Sequence, residues 1–214
     1  MQNLIEYLKD FNSKERFFLV GQVLGNPSFT LDSEFRDKLS DLLSIRIPAD
    51  ALSAMDYHID WLYACLNLAK DNDLTKVYPN NNHVIKGSQE DVDWLIAFNI
   101  QSEYHLVLIE AKGVTGWTNK QMTSKAIRFS EIFGEHGNSW PGVVPHFVMM
   151  SSSQSQGIRF EKWPPWIAPN GKLMWLELPI PKSLKHVYRC NEQGHKNKDG
   201  QSWKVTKRYP KFGG

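Results

Sequence analysis

Four charged side chains, crowded against two apolar runs, have the types and spacing to do chemistry together. Asp91 and Asp93 open the run Asp91-Val92-Asp93-Trp94-Leu95-Ile96-Ala97-Phe98, and Glu110 and Lys112 close the run His105-Leu106-Val107-Leu108-Ile109-Glu110-Ala111-Lys112. A lone carboxylate or ammonium beside a core strand costs several kcal/mol to bury, so such groups need partners or a metal ion. Carboxylates are hard oxygen donors. With no His/Cys cluster beside them they suit magnesium or manganese rather than zinc.

The elements that must position these groups are two strands. Leu106 to Ile109 are four consecutive apolar residues, too few for a helix and with the β-branched character of a buried strand. Side chains alternate along a strand, so Glu110 and Lys112 share a face while Ala111 points away. Residues 91–98 read as the preceding strand, entered through Gly87 and Ser88 to Glu90. Asp93 lies 17 residues before Glu110, room for two strands and a tight connection through Asn99 to Glu103. Such a hairpin can bring one carboxylate from each strand to a single cation.

An acid opening one strand, a Glu-x-Lys closing the next and a helix directly after it resemble the PD-(D/E)XK nuclease superfamily. The likeness covers roughly residues 52–150, with its core at 91–132. It implies an α/β protein of restriction endonuclease-like fold, a mixed central sheet flanked by helices, here with a helical N-terminal extension. It further implies that Asp93 and Glu110 bind Mg2+ (or Mn2+) and that Lys112 assists the attacking water. Val92 stands where the name-giving proline would be, which leaves Asp91 competing with Asp93. A preceding helix often adds an acid in this family; Asp60 is the choice here, with Asp56 second. The resemblance also offers Gln121, on the helix after Lys112, a place near the metal or the nucleic acid, although Thr118-x-x-Gln121 is a capping box that accounts for it without chemistry. On that helix Met122, Ala126, Phe129 and Phe133 form the buried stripe, leaving Lys125 and Arg128 outward, where a backbone phosphate can approach.

The implied activity is metal-dependent hydrolysis of phosphodiester bonds, most readily of DNA. Cutting both strands of a duplex usually calls for two active sites, which a homodimer would supply. Two alternatives stand beside it: a catalytically inactive nucleic-acid-binding module of the same fold, and a structural protein in which Glu110 and Lys112 form a salt bridge at a sheet end.

The rest of the chain supplies scaffold. Its 214 residues, 41% hydrophobic and 22% charged, suit one domain with a substantial core. Residues 1–50 read as a helical extension, with Ser13 capping a second helix and Asp32 or Ser33 a third. Residues 51–181 form the nuclease-like core. Within it Ala51 to Lys70 reads as one amphipathic helix on Leu52, Met55, Ile59, Leu62 and Leu66, with His58 on its surface. His83 to Ile85 reads as a short edge strand, and Pro145 to Met150 and Leu173 to Leu178 as further strands. Trp163 and Trp166 are expected to plug the sheet edge. Residues 182–214 hold nine Lys or Arg against two acids, a net +7, so the first 181 residues carry −5. There Tyr188, Trp203 and Tyr209 interleave with cations including Lys204, Lys207 and Arg208, a mixture suited to nucleic acid. No Gly-x-Ser-x-Gly elbow surrounds the serines at 151–155, and no Gly-rich phosphate loop ends in Lys-Ser or Lys-Thr, which argues against a serine hydrolase and a nucleotide triphosphatase. Absence of a membrane-length apolar run and of a basic-apolar leader at Met1 points to a cytoplasmic protein away from the membrane, with Cys65 and Cys190 as reduced thiols.

Overall fold

A computed structural model describes residues 4–11, 14–27, 29–88, 90–181 and 183–208. Its centre is a five-stranded sheet of β1 (Leu52–His58), β2 (Asp91–Ile100), β3 (Glu103–Lys112), β4 (Val143–Ser151) and β5 (Trp175–Glu177), neighbours in that order. β1, β2 and β3 run antiparallel in turn, whereas β4 is parallel to β3 and β5 to β4. The β2–β3 hairpin turns at Gln101 and Ser102, with φ of 51° and 70°. That left-handed backbone matches a two-residue turn to the strand twist.

Helices cover both faces, so the chain is a mixed α/β protein. On one face α1 (Leu4–Asp10), α4 (Ile59–Asp71) and α5 (Asn119–Phe133) bury Leu8, Leu62, Leu66, Met122 and Phe129 against Leu95, Leu106, Leu108 and Phe147. On the other, α3 (Ser33–Leu43) sets Leu39 and Leu43 against Ile96, Val107, Ile109 and Val148. Asp32 caps α3 by accepting from Phe35 N at 3.0 Å, as its position predicts. α2 (Glu15–Phe18) and a π-helical turn (Leu19–Val23) complete the N-terminal helices. α5 carries the chain from β3 to the parallel β4, the crossover that parallel pairing requires.

Strict alternation slips by one residue in β1 and β2, since Ala54 with Tyr57, and Leu95 with Val92, all face the same core. The slip falls at Asp56, whose φ is 50°, and at Asp93. The ladder pairs Met55 with Trp94 and Tyr57 with Val92 and passes over the two aspartates between them. Local interruption of this kind re-aims a side chain.

Several expectations need correction. Ala51 to Lys70 is not one helix: residues 52–58 pair with β2, and the helix starts at Ile59. Its apolar spacing fits a helix, but pairing with β2 overrides it for the first two turns. His58 is the N-cap, its Nδ1 accepting from Asp60 N at 3.2 Å. Residues 83–85 form no strand. The Ile85 peptide is instead held by Asn80, which donates to its oxygen at 2.7 Å and accepts from its nitrogen at 3.0 Å. Trp163 is buried and Trp166 packs on Phe133 of α5 with centroids 5.5 Å apart, so these rings close the helical layer rather than the sheet edge. β6 (Lys185–Cys190) and β7 (Ser202–Lys207) form a separate antiparallel hairpin. Ser13, Lys182 and Tyr209 lie outside the described residues. No described helix is long and apolar enough to cross a membrane.

Candidate active site

The antiparallel register brings the first acids of β2 beside the last residues of β3. Trp94 pairs with Ile109, so Asp93 and Glu110 come next at the same end of the hairpin. Asp93 Oδ2 accepts the Ala111 N–H at 2.7 Å, which turns this carboxylate onto β3 where the β1–β2 ladder is interrupted.

Glu110 is 1% exposed, and its face of β3 meets α5. Its Oε1 accepts from Lys125 Nζ, which also donates to the Asp91 backbone oxygen. Burial pushes the Glu110 carboxyl up, Lys125 opposes the rise, the negative charge of Asp93 adds to it and Lys112 pulls weakly against it. The outcome is a value of about 7. The two acids are therefore electrostatic neighbours, and the cations around them do not fully compensate the burial of Glu110.

A measurable pH dependence follows from that carboxyl. Between its ordinary value near 4.5 and about 7 the folded chain holds a proton that the unfolded chain has lost. Stability from this group is thus full below the lower value and disappears as pH rises through the upper one. The change is roughly 3 kcal/mol at about 1.4 kcal/mol per unit. His146, half-buried on β4 and lowered by desolvation to about 4, tilts stability the opposite way over part of the range, so the comparison must be differential. In urea unfolding with chelator, wild type minus Glu110→Gln is expected to decline from pH 5 to 7.5; a flat difference would refute the assignment.

Lys112 is half-buried two residues beyond Glu110, and no ion pair forms at it among the described residues. Asp91, the competing acid, has Oδ2 on Lys14 Nζ at 2.9 Å, while its Oδ1 is buried without a hydrogen-bond partner. Asp91 also pairs with His58 in the β1–β2 ladder. The structure thus places Asp93, Glu110 and Lys112 together and ties Asp91 to the N-terminal segment.

Asp60 does not join them as a free donor. Its Oδ1 meets Arg128, and its Oδ2 accepts from Lys86 N at 3.0 Å and Gly87 N at 2.7 Å. Both oxygens are in use, fastening the 86–87 segment to α4 and α5. Asp56 pairs with Arg16 on the interrupted stretch of β1. The three-acid set with Asp60, or with Asp56 in its place, is corrected accordingly: among the described residues no three His, Cys, Asp or Glu side chains are grouped to hold a metal.

Lys125 and Arg128 are also not outward cations for a phosphate. They are 6% and 1% exposed. Arg128 meets Asp60, Glu131 at 3.2 Å and, through Nε, Glu90 at 3.9 Å. The spacing held the signal: Lys125 falls three residues after Met122 and four before Phe129, within the apolar stripe. Presuming cations to be solvated hid it.

Gln121 is exposed, and its N–H is accepted by Thr118 Oγ1 at 3.2 Å. The cap is made from the threonine side. Thr118→Ala is expected to cost about 1 kcal/mol and Gln121→Ala less than about 0.5 kcal/mol in urea unfolding; equal losses would mean that the glutamine side chain completes the box. In the C-terminal hairpin Lys204 and Lys207 lie on opposite faces of β7, and Arg208 follows the strand with its N–H on Leu184 O at 2.8 Å. These three cations do not form one surface.

As donors for a hard divalent cation, Asp93 and Glu110 fit. Both are carboxylates, they are adjacent across a hairpin, and Glu110 is incompletely neutralised. A bound cation would supply Lewis-acid polarisation of a phosphoryl oxygen and an acidified water. Comparison with protein-family models, curated proteins and solved structures gave no match to this chain.

Proposed function

We propose that the chain is a metal-dependent nuclease of restriction endonuclease-like fold that hydrolyses phosphodiester bonds, with DNA as substrate. The observation that carries this reading is the meeting of Asp93 and Glu110 at one end of an antiparallel hairpin, with Lys112 two residues on. The crossover helix and parallel strand that follow accord with the mixed sheet that the sequence resemblance implies.

In this reading Asp93 and Glu110 hold Mg2+ or Mn2+. Lys112 Nζ donates to the attacking water or to a phosphate oxygen as negative charge builds there. Lys125 keeps Glu110 oriented through its buried ion pair, and Arg128 with Asp60 fixes α5 against the entry to β2. Gln121, exposed on the first turn of α5, would contact substrate in this reading.

The test is calorimetric titration of the protein with MnCl2, alongside cleavage of labelled single- and double-stranded DNA and RNA. Binding of Mn2+ with cleavage of any of these supports the proposal; no heat and no cleavage would end it. One observation favours a second reading, a catalytically silent nucleic-acid binder: Lys125 already supplies a positive charge to Glu110. That protein would bind oligonucleotides in the same assays and give no Mn2+ heat.

A further inference from the structure

The β6–β7 hairpin presents a surface that the acid site does not use. Its register pairs Lys185 with Lys207, Val187 with Val205 and Arg189 with Trp203, which puts these six side chains on one face. All six are exposed. Trp203 is 70% exposed, Val187 59% and Val205 47%. The other face carries Tyr188, half-buried, and Cys190, buried. This hairpin thus turns the centre of its apolar surface outward, between cations at both ends.

The charge on the face is one-sided. No acid belongs to it, and among the described residues none of its three cations is ion-paired; Arg189 Nε donates to Gly200 O at 3.1 Å. A ligand that fits must bring negative charge at several points and flat apolar surface between them. A single strand of nucleic acid does so, because its phosphates alternate with bases whose π-faces are free to stack. A duplex hides those faces and would leave Trp203 and the valines without a partner.

We propose that the Lys185–Arg189/Trp203–Lys207 face binds single-stranded nucleic acid, with Trp203 stacking on a base and Lys185, Arg189 and Lys207 meeting phosphates. This rests on the phosphodiester substrate proposed above and adds the form in which it is held, an unpaired stretch.

The experiment uses the full chain in EDTA, where cleavage plays no part, and follows the anisotropy of a labelled oligo-dT 15-mer and of a labelled 15-base-pair duplex. Trp203→Ala is expected to weaken oligo-dT binding about tenfold, and Trp203→Phe to restore most of it. Lys185→Ala/Lys207→Ala is expected to reduce the salt slope by about 1.4, from about 0.7 per phosphate on a single strand. Lys38→Ala, on the exposed surface of α3, serves as the charge control. Wild-type affinity in Trp203→Ala, a phenylalanine variant no better than alanine, or tighter binding of the duplex than of oligo-dT would each overturn the proposal. Circular dichroism of each variant checks its fold. The two proposals separate cleanly. Cleavage with Mn2+ but no effect of Trp203 removes this face and leaves the nuclease, whereas Trp203-dependent binding without Mn2+-dependent cleavage removes the nuclease and leaves the face.

Discussion

Lys112→Ala is expected to lower single-turnover cleavage by about 10²- to 10³-fold while leaving Mn2+ binding and oligonucleotide affinity within about twofold. The physical basis is that Lys112 sits beside Glu110 without forming an ion pair among the described residues, so its ammonium is available to a reacting group. Deleting it removes positive charge from the place where phosphate charge grows and leaves the carboxylates in place. Glu110→Gln should act differently. It takes away one of two hard donors, so the Mn2+ heat should shrink along with cleavage, with a rate loss of about 10³-fold or more. Asp93→Asn should follow Glu110→Gln and also weaken the acceptor of the Ala111 N–H. Calorimetry and single-turnover assays on the three variants decide the matter: undiminished metal-dependent cleavage by all of them would remove these residues from the chemistry.

The largest effect on stability is expected at Arg128. Its side chain is 1% exposed and faces Asp60, which is 8% exposed, together with Glu131 and Glu90. Arg128→Met keeps most of the volume and removes the charge, leaving the Asp60 carboxylate buried with two backbone N–H donors and no cation. Breaking one side of a buried ion pair costs about 3–5 kcal/mol, so a clear drop in the urea midpoint is expected. Asp60→Asn added to Arg128→Met should recover part of that loss, because the neutral amide costs less to bury than the orphaned carboxylate. A single-variant loss below about 1 kcal/mol would mean that water reaches Asp60 and that this pair does not hold α5 to the β2 entry.

Much of the site's frame was legible because it rests on long, one-period signals. The acids at 91 and 93, the apolar bodies of β2 and β3, the Thr118 cap and the 145–150 strand each carry a pattern that tertiary contacts reinforce. The stretch 51–70 was not legible. Leu52, Met55 and Ile59 fit a helix, yet Leu52 to His58 pair with β2, and the left-handed backbone at Asp56 breaks the alternation that would have marked a strand. Asp60 had the right type and a buried position, but its partners are backbone N–H groups 26 and 27 residues away and a cation on α5, none of which local pattern reveals. The same holds for Lys125. Its place in the apolar stripe was visible in the spacing, whereas the carboxylate that makes burial affordable is on another element.

The tight turn at Gln101 and Ser102 has a consequence for how this pocket is assembled. Across so short a link the two acids can meet with little loss of chain entropy once the strands pair. Lys125 lies on α5, a separate element that must dock on the sheet before its ammonium reaches Glu110. The anionic half of the pocket therefore comes from one hairpin, while the ammonium that seals it is delivered by a separate helix.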